Sequence, residues 1–402
     1  MKDQKKARRK TQILYYIWKE GPISRGALSE ILKLNLPTIS NCVNELLAQK
    51  EIIEEGFATS TGGRKAQLLD VNPAFGAVIA VDFSSRGLTS AAADLKGNIL
   101  NQTTSPFKPT IGKEKALEMI FEAVQSQVSF LKQRQQGPLR QVGLGFSGLV
   151  DERSGISIVF PRFENWRDVP IRKLVEEKFK IPSVLDNHIS AIALAENLFG
   201  NYKTFNNVLY IHLGPGIGLG IILNGRVYKG SKLNVGELGH TTVSENGPLC
   251  YCGNYGCLES VASDYALVAQ AEQALKDGVK SRVLEFSENG RLHSTAPIFQ
   301  AAGAGDRLAT NLIEKVGSHL GAAIANLINL LGPEVILIGG TMAENGDMLI
   351  ELICRTLRSR ALERMESGVE IKISSFGKQE GIMGAVALAL HNYYTVNLKG
   401  TI

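Results

Sequence analysis

The first seventy residues carry a helical spacing that breaks twice and then changes period. Ile13, Leu14, Ile17 and Trp18 fall on one helical face, and Gly21-Pro22 ends that helix. Ser24 is placed to cap a second helix with Leu28, Ile31 and Leu32 inward, and Asn35 to cap a third. Pro37 falls in the first turn of that third helix, where a missing N–H costs little. Ile39, Val43, Leu46 and Leu47 recur at helical spacing and bury one face, leaving Thr38, Ser40, Asn41 and Asn44 on the other. Two β-like runs follow, Ile52 to Phe57 and Lys65 to Val71, separated by Ala58-Thr59-Ser60-Thr61-Gly62-Gly63-Arg64. Pro73 marks a boundary, so residues 1–72 form a three-helix, two-strand domain.

From Ala77 the pattern is that of a larger α/β region, residues 73–402. Val78 to Phe83 and Leu88 to Asp94 read as strands, with Lys96-Gly97-Asn98 as a turn. A second strand group, Val142 to Asp151, contains Ser147-Gly148, a glycine loop that lets a ligand approach main chain. Val208 to Leu213 and Gly218 to Leu223 are further strands, Leu312 to Leu331 is a long Ala-rich helix, and Glu334 to Ile338 leads into Gly339-Gly340. Such alternation predicts ligand contacts at strand ends.

Composition changes this picture in three places. Hydrophobic content of 44% and charged content of 21% are ordinary for a folded chain, and no apolar run is long enough to span a bilayer. The basic start turns amphipathic instead of opening a secretory signal, so a cytoplasmic protein without membrane insertion is expected. The net charge of +5 is unevenly placed: residues 1–70 carry 12 Lys+Arg and 8 Asp+Glu, which is +4 of it. A basic excess there, with small polar side chains on an exposed helix face, suits phosphates and base edges. The Gly62-Gly63 tip would let Arg64 and Lys65 enter a minor groove or clamp phosphates as a wing. The segment therefore reads as a winged helix-turn-helix binding DNA, with protein contact alone as the bland alternative. Cys250, Cys252 and Cys257 lie in one loop with Gly253 and Gly256 permitting tight turns, and His240 lies ten residues upstream of the first. Four such N/S ligands predict a closed structural zinc site. Cys42 and Cys354 read as lone, mostly buried thiols.

Three motifs then carry a family resemblance: Gly236-Glu237-Leu238-Gly239-His240, the run Cys250 to Glu259, and Pro333-Glu334-Val335-Ile336-Leu337-Ile338-Gly339-Gly340. They resemble the ROK family of repressors and sugar kinases, from about Ala77 to the end, and a preceding winged helix matches its repressor branch. The resemblance implies an actin-like ATPase (ribonuclease H-like) two-lobed sugar-kinase fold. One lobe would take about residues 75–186 plus the C-terminal helix, and the other about 187–380 with the zinc loop. It also implies a sugar site from Asn187, Glu237, His240 and Glu259, with Ser147 and Gly148 in the sugar-facing loop. Carboxylates and an amide suit polyols, and a metal-held imidazole would keep its second nitrogen for another contact.

The chain departs from the family's kinases at three elements. The phosphate turn Asp-x-Gly-Gly-Thr is here Asp82-Phe83-Ser84-Ser85-Arg86, the catalytic Asp after Asn is His188, and the third glycine of the later nucleotide loop is Thr341. The expectation is a sugar- or sugar-phosphate-responsive repressor that has lost phosphoryl transfer, a homodimer or homotetramer on operator DNA. The alternatives are an active ATP-dependent sugar kinase with His188 as base, or a zinc-stabilised module for an unknown protein partner. Arg162 stands where the family has Asn, suiting a phosphorylated or acidic sugar or serving as a solvated residue.

Overall fold

The computed structural model describes residues 2–59, 65–107, 109–160, 163, 165–231, 235–362 and 368–398. It divides into two compact units, one comprising residues 1–188 with 382–402 and the other residues 189–381.

In the first unit the N-terminal elements are helix α1 (Lys2–Glu20), strand β1 (Ile23–Ser24), helices α2 (Arg25–Leu32) and α3 (Leu36–Ala48), and strands β2 (Ile52–Phe57) and β3 (Gln67–Val71). The strands form an antiparallel sheet in the order β1-β3-β2, with Ile23 opposite Leu69 and Ile52 opposite Val71. Both predicted caps are present. The Ser24 side chain accepts from the Ala27 N–H at 3.2 Å and Asn35 from Thr38 N–H at 3.0 Å, each satisfying a donor that the first turn leaves without a helical partner. Ile13, Ile17, Leu28, Ile39, Val43, Leu46, Ile52 and Leu69 make the small core. Ile31 does not join it: it is 44% exposed, because a two-turn helix places only the Leu28 stripe inward. Tyr15, not Leu14, is the fully covered neighbour of Ile13 and Ile17, and the second long strand begins at Gln67 instead of Lys65.

The rest of this unit continues with β4 (Ala77–Ser84), β5 (Gly87–Asp94), β6 (Ile99–Ser105), α4 (Lys113–Gln133), β7 (Leu139–Phe146), β8 (Leu149–Asp151), β9 (Ile156–Val159), β10 (Arg167–Val169), α5 (Ile171–Phe179) and β11 (Ser183–Asn187). Five strands form a mixed sheet, β11-β7-β4-β5-β6, in which β11 and β4 run parallel to β7. All eight residues of β4 are buried, which explains a continuous apolar run in place of alternation. An aromatic cluster of Phe83, Phe146, Phe160, Phe163 and Trp166 fills one side, and the Trp166 indole N–H donates to Ser157 Oγ at 2.8 Å.

Helix α6 (His188–Phe199) leads into the second unit, with β12 (Val208–Leu213), β13 (Ile217–Leu223), β14 (Arg226–Val227), α7 (Leu258–Ala262), α8 (Asp264–Lys276), α9 (Ala296–Gly303), α10 (Arg307–Leu331), β15 (Val335–Gly339), α11 (Gly346–Arg358) and β16 (Glu370–Ile373). A second five-stranded mixed sheet has the order β14-β13-β12-β15-β16. The long helix α10 starts earlier than its apolar pattern suggested, because Asp306 caps it, accepting from Ala309 N–H at 2.9 Å; Gly332 ends it at φ 53°. Helix α12 (Glu380–Thr395) closes the fold against the first sheet. Gly143 permits that approach, since a Cβ there would meet the Ala385 carbonyl at 2.2 Å. Among the described residues no helix is long and apolar enough to cross a membrane.

Candidate functional site

The chemistry begins with the cysteine loop. Thr242 bridges Cys257, Leu249 bridges Tyr255, and Gly256 adopts φ 64° against the Ser244 carbonyl, so the backbone folds the loop back on itself. This turn brings one ligand atom from each of His240, Cys250, Cys252 and Cys257 within 4.8 Å of the others. Cys250 Sγ lies 3.6 Å from His240 Nδ1, and Cys252 Sγ lies 3.7 Å from Cys257 Sγ. A tetrahedral ion at the usual zinc–sulfur and zinc–nitrogen lengths needs separations of about 3.6 Å and about 3.8 Å for those pairs. The donor set and its spacing thus fit a metal ion. Burial, followed by the neighbouring Cys252 and Cys250, pushes the Cys257 thiol up to about 12, whereas Cys252, which accepts from the Asn254 N–H, is lowered. Three adjacent thiolates repel one another, and a divalent cation would remove that repulsion.

The second imidazole nitrogen is already engaged. His240 Nε2 lies 3.0 Å from the Tyr251 hydroxyl, and the two rings meet edge to face. With Nδ1 turned to Cys250, the matching tautomer has Nε2–H donating to Tyr251. Tyr251 was not legible as a site residue, because a tyrosine between two ligand cysteines has no periodicity to mark it.

The remaining second-unit residues lie beside this loop. Glu259 opens α7, is buried, and its Oε2 accepts from Ile217 N–H at 2.9 Å. Glu237 is exposed, yet desolvation of its carboxyl raises its pKa, opposed by His240 and aided by the charge of Glu259. Glu237, His240 and Glu259 therefore form one polar group. In the first unit Ser147, Gly148 and Asn187 come together likewise. Ser147 N–H donates to the Phe83 carbonyl at 3.0 Å, Gly148 turns at φ 87°, and Asn187 Nδ2 donates to the Gly148 carbonyl at 2.9 Å.

The residues expected to depart from the kinase pattern also face partners within their own unit. His188 Nδ1 lies 3.4 Å from Asp82 Oδ1, and Ser84 Oγ donates to Asp82 Oδ2 at 3.2 Å, all three side chains buried. In the second unit Gly340 N–H donates to Glu380 Oε2 at 3.2 Å, and Thr341 Oγ1 donates to Asp264. Carboxylates thus hold the main-chain and hydroxyl donors of the later glycine loop.

On the N-terminal elements, Asn41 and Asn44 are exposed and Thr38 and Ser40 half-buried on the outer face of α3. Lys65 is exposed, while Arg64 lies outside the described residues, as does Arg162. Arg25, which the sequence reading passed over, donates from Nη2 to Asn44 Oδ1 at 3.0 Å. Cys42 is buried as expected; Cys354 is only half-buried.

Comparison with known proteins places these features. A xylose repressor of Caldicellulosiruptor bescii is 31% identical over 368 residues, 92% of each chain. The crystal structure of a ROK family transcriptional regulator, a homolog of the E. coli MLC protein, superposes with a TM-score of 0.84 at 30% identity over 98% of both chains. A ROK family glucokinase from Streptomyces griseus, solved with glucose and AMPPNP, gives a TM-score of 0.68 at 28% identity over 79% of this chain and all of its own. The ROK family model matches residues 78–392, and this chain belongs to the ROK family.

Proposed function

We propose that this protein is a sugar-responsive transcriptional repressor of carbohydrate uptake or catabolism genes. Residues 1–72 would be its winged helix-turn-helix DNA-binding domain and residues 73–402 its sugar-kinase-like domain. The observation that carries this reading is the likeness to repressors along almost the whole chain, whereas the glucokinase match covers 79% of it. Operator DNA would meet the outer face of α3 through Thr38, Ser40, Asn41 and Asn44, with Arg64 and Lys65 on the wing. Two-fold operators call for a homodimer or homotetramer.

The effector would be a sugar; Glu237 and Glu259 are its proposed contacts in the second unit, with His240 engaged by the loop and by Tyr251, and Ser147, Gly148 and Asn187 are the proposed sugar-contacting residues of the first unit, taken by itself. Buried Glu259 is oriented by its bond to Ile217 N–H, and Asn187 by its bond to Gly148, so both meet hydroxyls without reorganising. Structural zinc would hold His240, Cys250, Cys252 and Cys257 in one turn. When bound, it supplies a rigid framework, not a reactive centre. Sugar changes DNA affinity only by preferring one arrangement of the protein, a coupling of about 5- to 150-fold in typical cases.

Phosphoryl transfer would be lost. Kinases of this fold need main-chain N–H groups aimed at phosphate and a carboxylate positioned to take the hydroxyl proton. Here side chains replace two glycines at Ser84 and Ser85, His188 is turned to Asp82, and Glu380 and Asp264 place negative charge on the donors of the other loop. The competing reading is an active kinase with His188 as base, favoured by the likeness to the glucokinase.

Calorimetry of the zinc-loaded protein against sugars, sugar phosphates and ATP-Mg decides between them, with xylose first in the panel and operator binding repeated on each hit. The repressor reading expects a sugar that binds and shifts DNA affinity, with no heat from ATP-Mg. Sugar-dependent ATP consumption abolished by His188→Ala would replace it with the kinase reading.

A further inference from the structure

Arg25 is the first residue of α2, immediately after the Ser24 cap, and Asn44 lies in the third turn of α3. The bond from Arg25 Nη2 to Asn44 Oδ1 is 3.0 Å long and links the two helices on their outer side. A guanidinium has only donors, so the amide orientation is settled: the oxygen faces Arg25 and the NH2 group faces away. Asn44 is exposed and Arg25 half-exposed, so the link contributes little to the core and its presence is not explained by packing.

The link changes what Asn44 can read. An asparagine recognises adenine by accepting from N6 and donating to N7 together. One of the two Oδ1 lone pairs is taken by Arg25, and the guanidinium held against that oxygen brings cationic N–H donors to the edge where adenine would present its own amino donor, which disfavours the two-point match. The pair presents mostly donors, the Asn44 Nδ2–H groups beside the remaining guanidinium N–H groups. In the major groove only guanine offers two neighbouring acceptors, N7 and O6; adenine and cytosine each present an amino donor there, and thymine one acceptor beside a methyl group. An arginine on the first helix of a helix-turn-helix ordinarily faces phosphate, where that helix crosses the backbone. Its bond to the recognition helix ties this one to base reading instead.

We propose that Arg25 and Asn44 act as one donor-rich unit that selects guanine in each operator half-site. This rests on the DNA-binding reading of the N-terminal elements. The test uses the full-length, zinc-loaded chain and its Arg25→Ala, Arg25→Lys and Asn44→Ala variants. Each is selected on a randomised duplex library at one fixed salt concentration, and the bound DNA is sequenced. Thermal melts of all four first establish equal folding, as expected for surface changes.

The wild type should enrich guanine at one position per half-site. Arg25→Ala should lower that preference by about 5- to 100-fold and raise adenine there, since the guanidinium donors no longer oppose adenine's amino group and the amide is free to turn. Arg25→Lys should also lose guanine, lacking the planar fork that holds the amide. Asn44→Ala should weaken guanine without the gain in adenine. If Arg25→Ala weakens every sequence equally and leaves base preference unchanged, Arg25 contacts phosphate and the inference is overturned. A wild type that enriches a sequence without guanine at any position affected by Arg25 overturns it while leaving DNA binding intact. Enrichment of no sequence at all removes the DNA-binding reading itself, and the inference with it.

Discussion

A single hydroxyl decides how His240 is presented. Nδ1 can serve a metal only if the ring proton stays on Nε2, and Tyr251 at 3.0 Å is the acceptor that keeps it there. Partners of this kind are commonly worth about 10- to 100-fold in metal affinity. Tyr251→Phe is therefore expected to weaken zinc binding about tenfold in a chelator competition, while the thiolate-to-metal absorption of the cobalt-loaded protein keeps its intensity at saturation. Unchanged zinc affinity would show that the ring packs against His240 without orienting it. None of this was readable from residue order. The four candidate ligands, one His and three Cys, and their close spacing predicted a loop able to hold a metal, because soft ligands within one turn have few other uses. Which nitrogen faces the sulfurs depends on the turn of the whole loop.

Among the elements, α3 shows how much local chemistry settles without tertiary help. Asn35 precedes the helix, Pro37 occupies its first turn, and four apolar residues share one face, so start, direction and buried side all follow from short-range spacing. Asn35→Ala should cost about 1 kcal/mol of stability, read from denaturant unfolding of the full chain by Trp fluorescence. It should also weaken operator DNA binding, because the first turn of this helix carries Thr38; intact DNA affinity with normal destabilisation would place the DNA contact elsewhere. Helix α2 is the opposite case. Its apolar residues suggested that Ile31 belongs inside, yet Ile31 is 44% exposed. With only eight residues, the pattern defines a face too loosely, and packing against α1 and α3 chooses Leu28. The start of β3 moved for a related reason: pairing with β2, not propensity, determines where it begins.

At the level of the whole molecule, the N-terminal elements are joined to the first sheet by contacts far apart in sequence. Trp18 stacks on Tyr394 of α12 at 4.6 Å, Gln136 Nε2 donates to the Pro73 carbonyl at 2.9 Å, and Lys96 pairs with Asp70 at 2.7 Å and with Glu55 at 3.2 Å. Burial alone would lower the Lys96 pKa, but its bonds to Asp70 and Glu55 and their charges outweigh that and raise it. A raised lysine stabilises the fold fully below its ordinary value and loses that contribution as pH climbs through the higher folded value. Alkaline titration followed by Trp fluorescence should therefore show a loss of stability above about pH 10.4 that Lys96→Met removes. A variant that keeps the same alkaline dependence would show that the pair is solvated and energetically idle. The boundary at Pro73 marks a change in pattern, whereas the compact unit extends through it to His188.

What residue order determined alone is whatever depends on neighbours within a few turns. That covers the capped helices, the continuous apolar strands of two α/β sheets, and the close spacing of the Cys/His cluster. Tertiary structure decided the rest. It paired His188 with Asp82 across more than a hundred residues, gave Tyr251 to His240, tied Arg25 to Asn44, and stacked Trp18 on Tyr394. The physical reason is the same each time. Periodicity and capping are local constraints on the backbone, while the partner of a polar or aromatic side chain is chosen by which surfaces the packed core brings within about 3–5 Å.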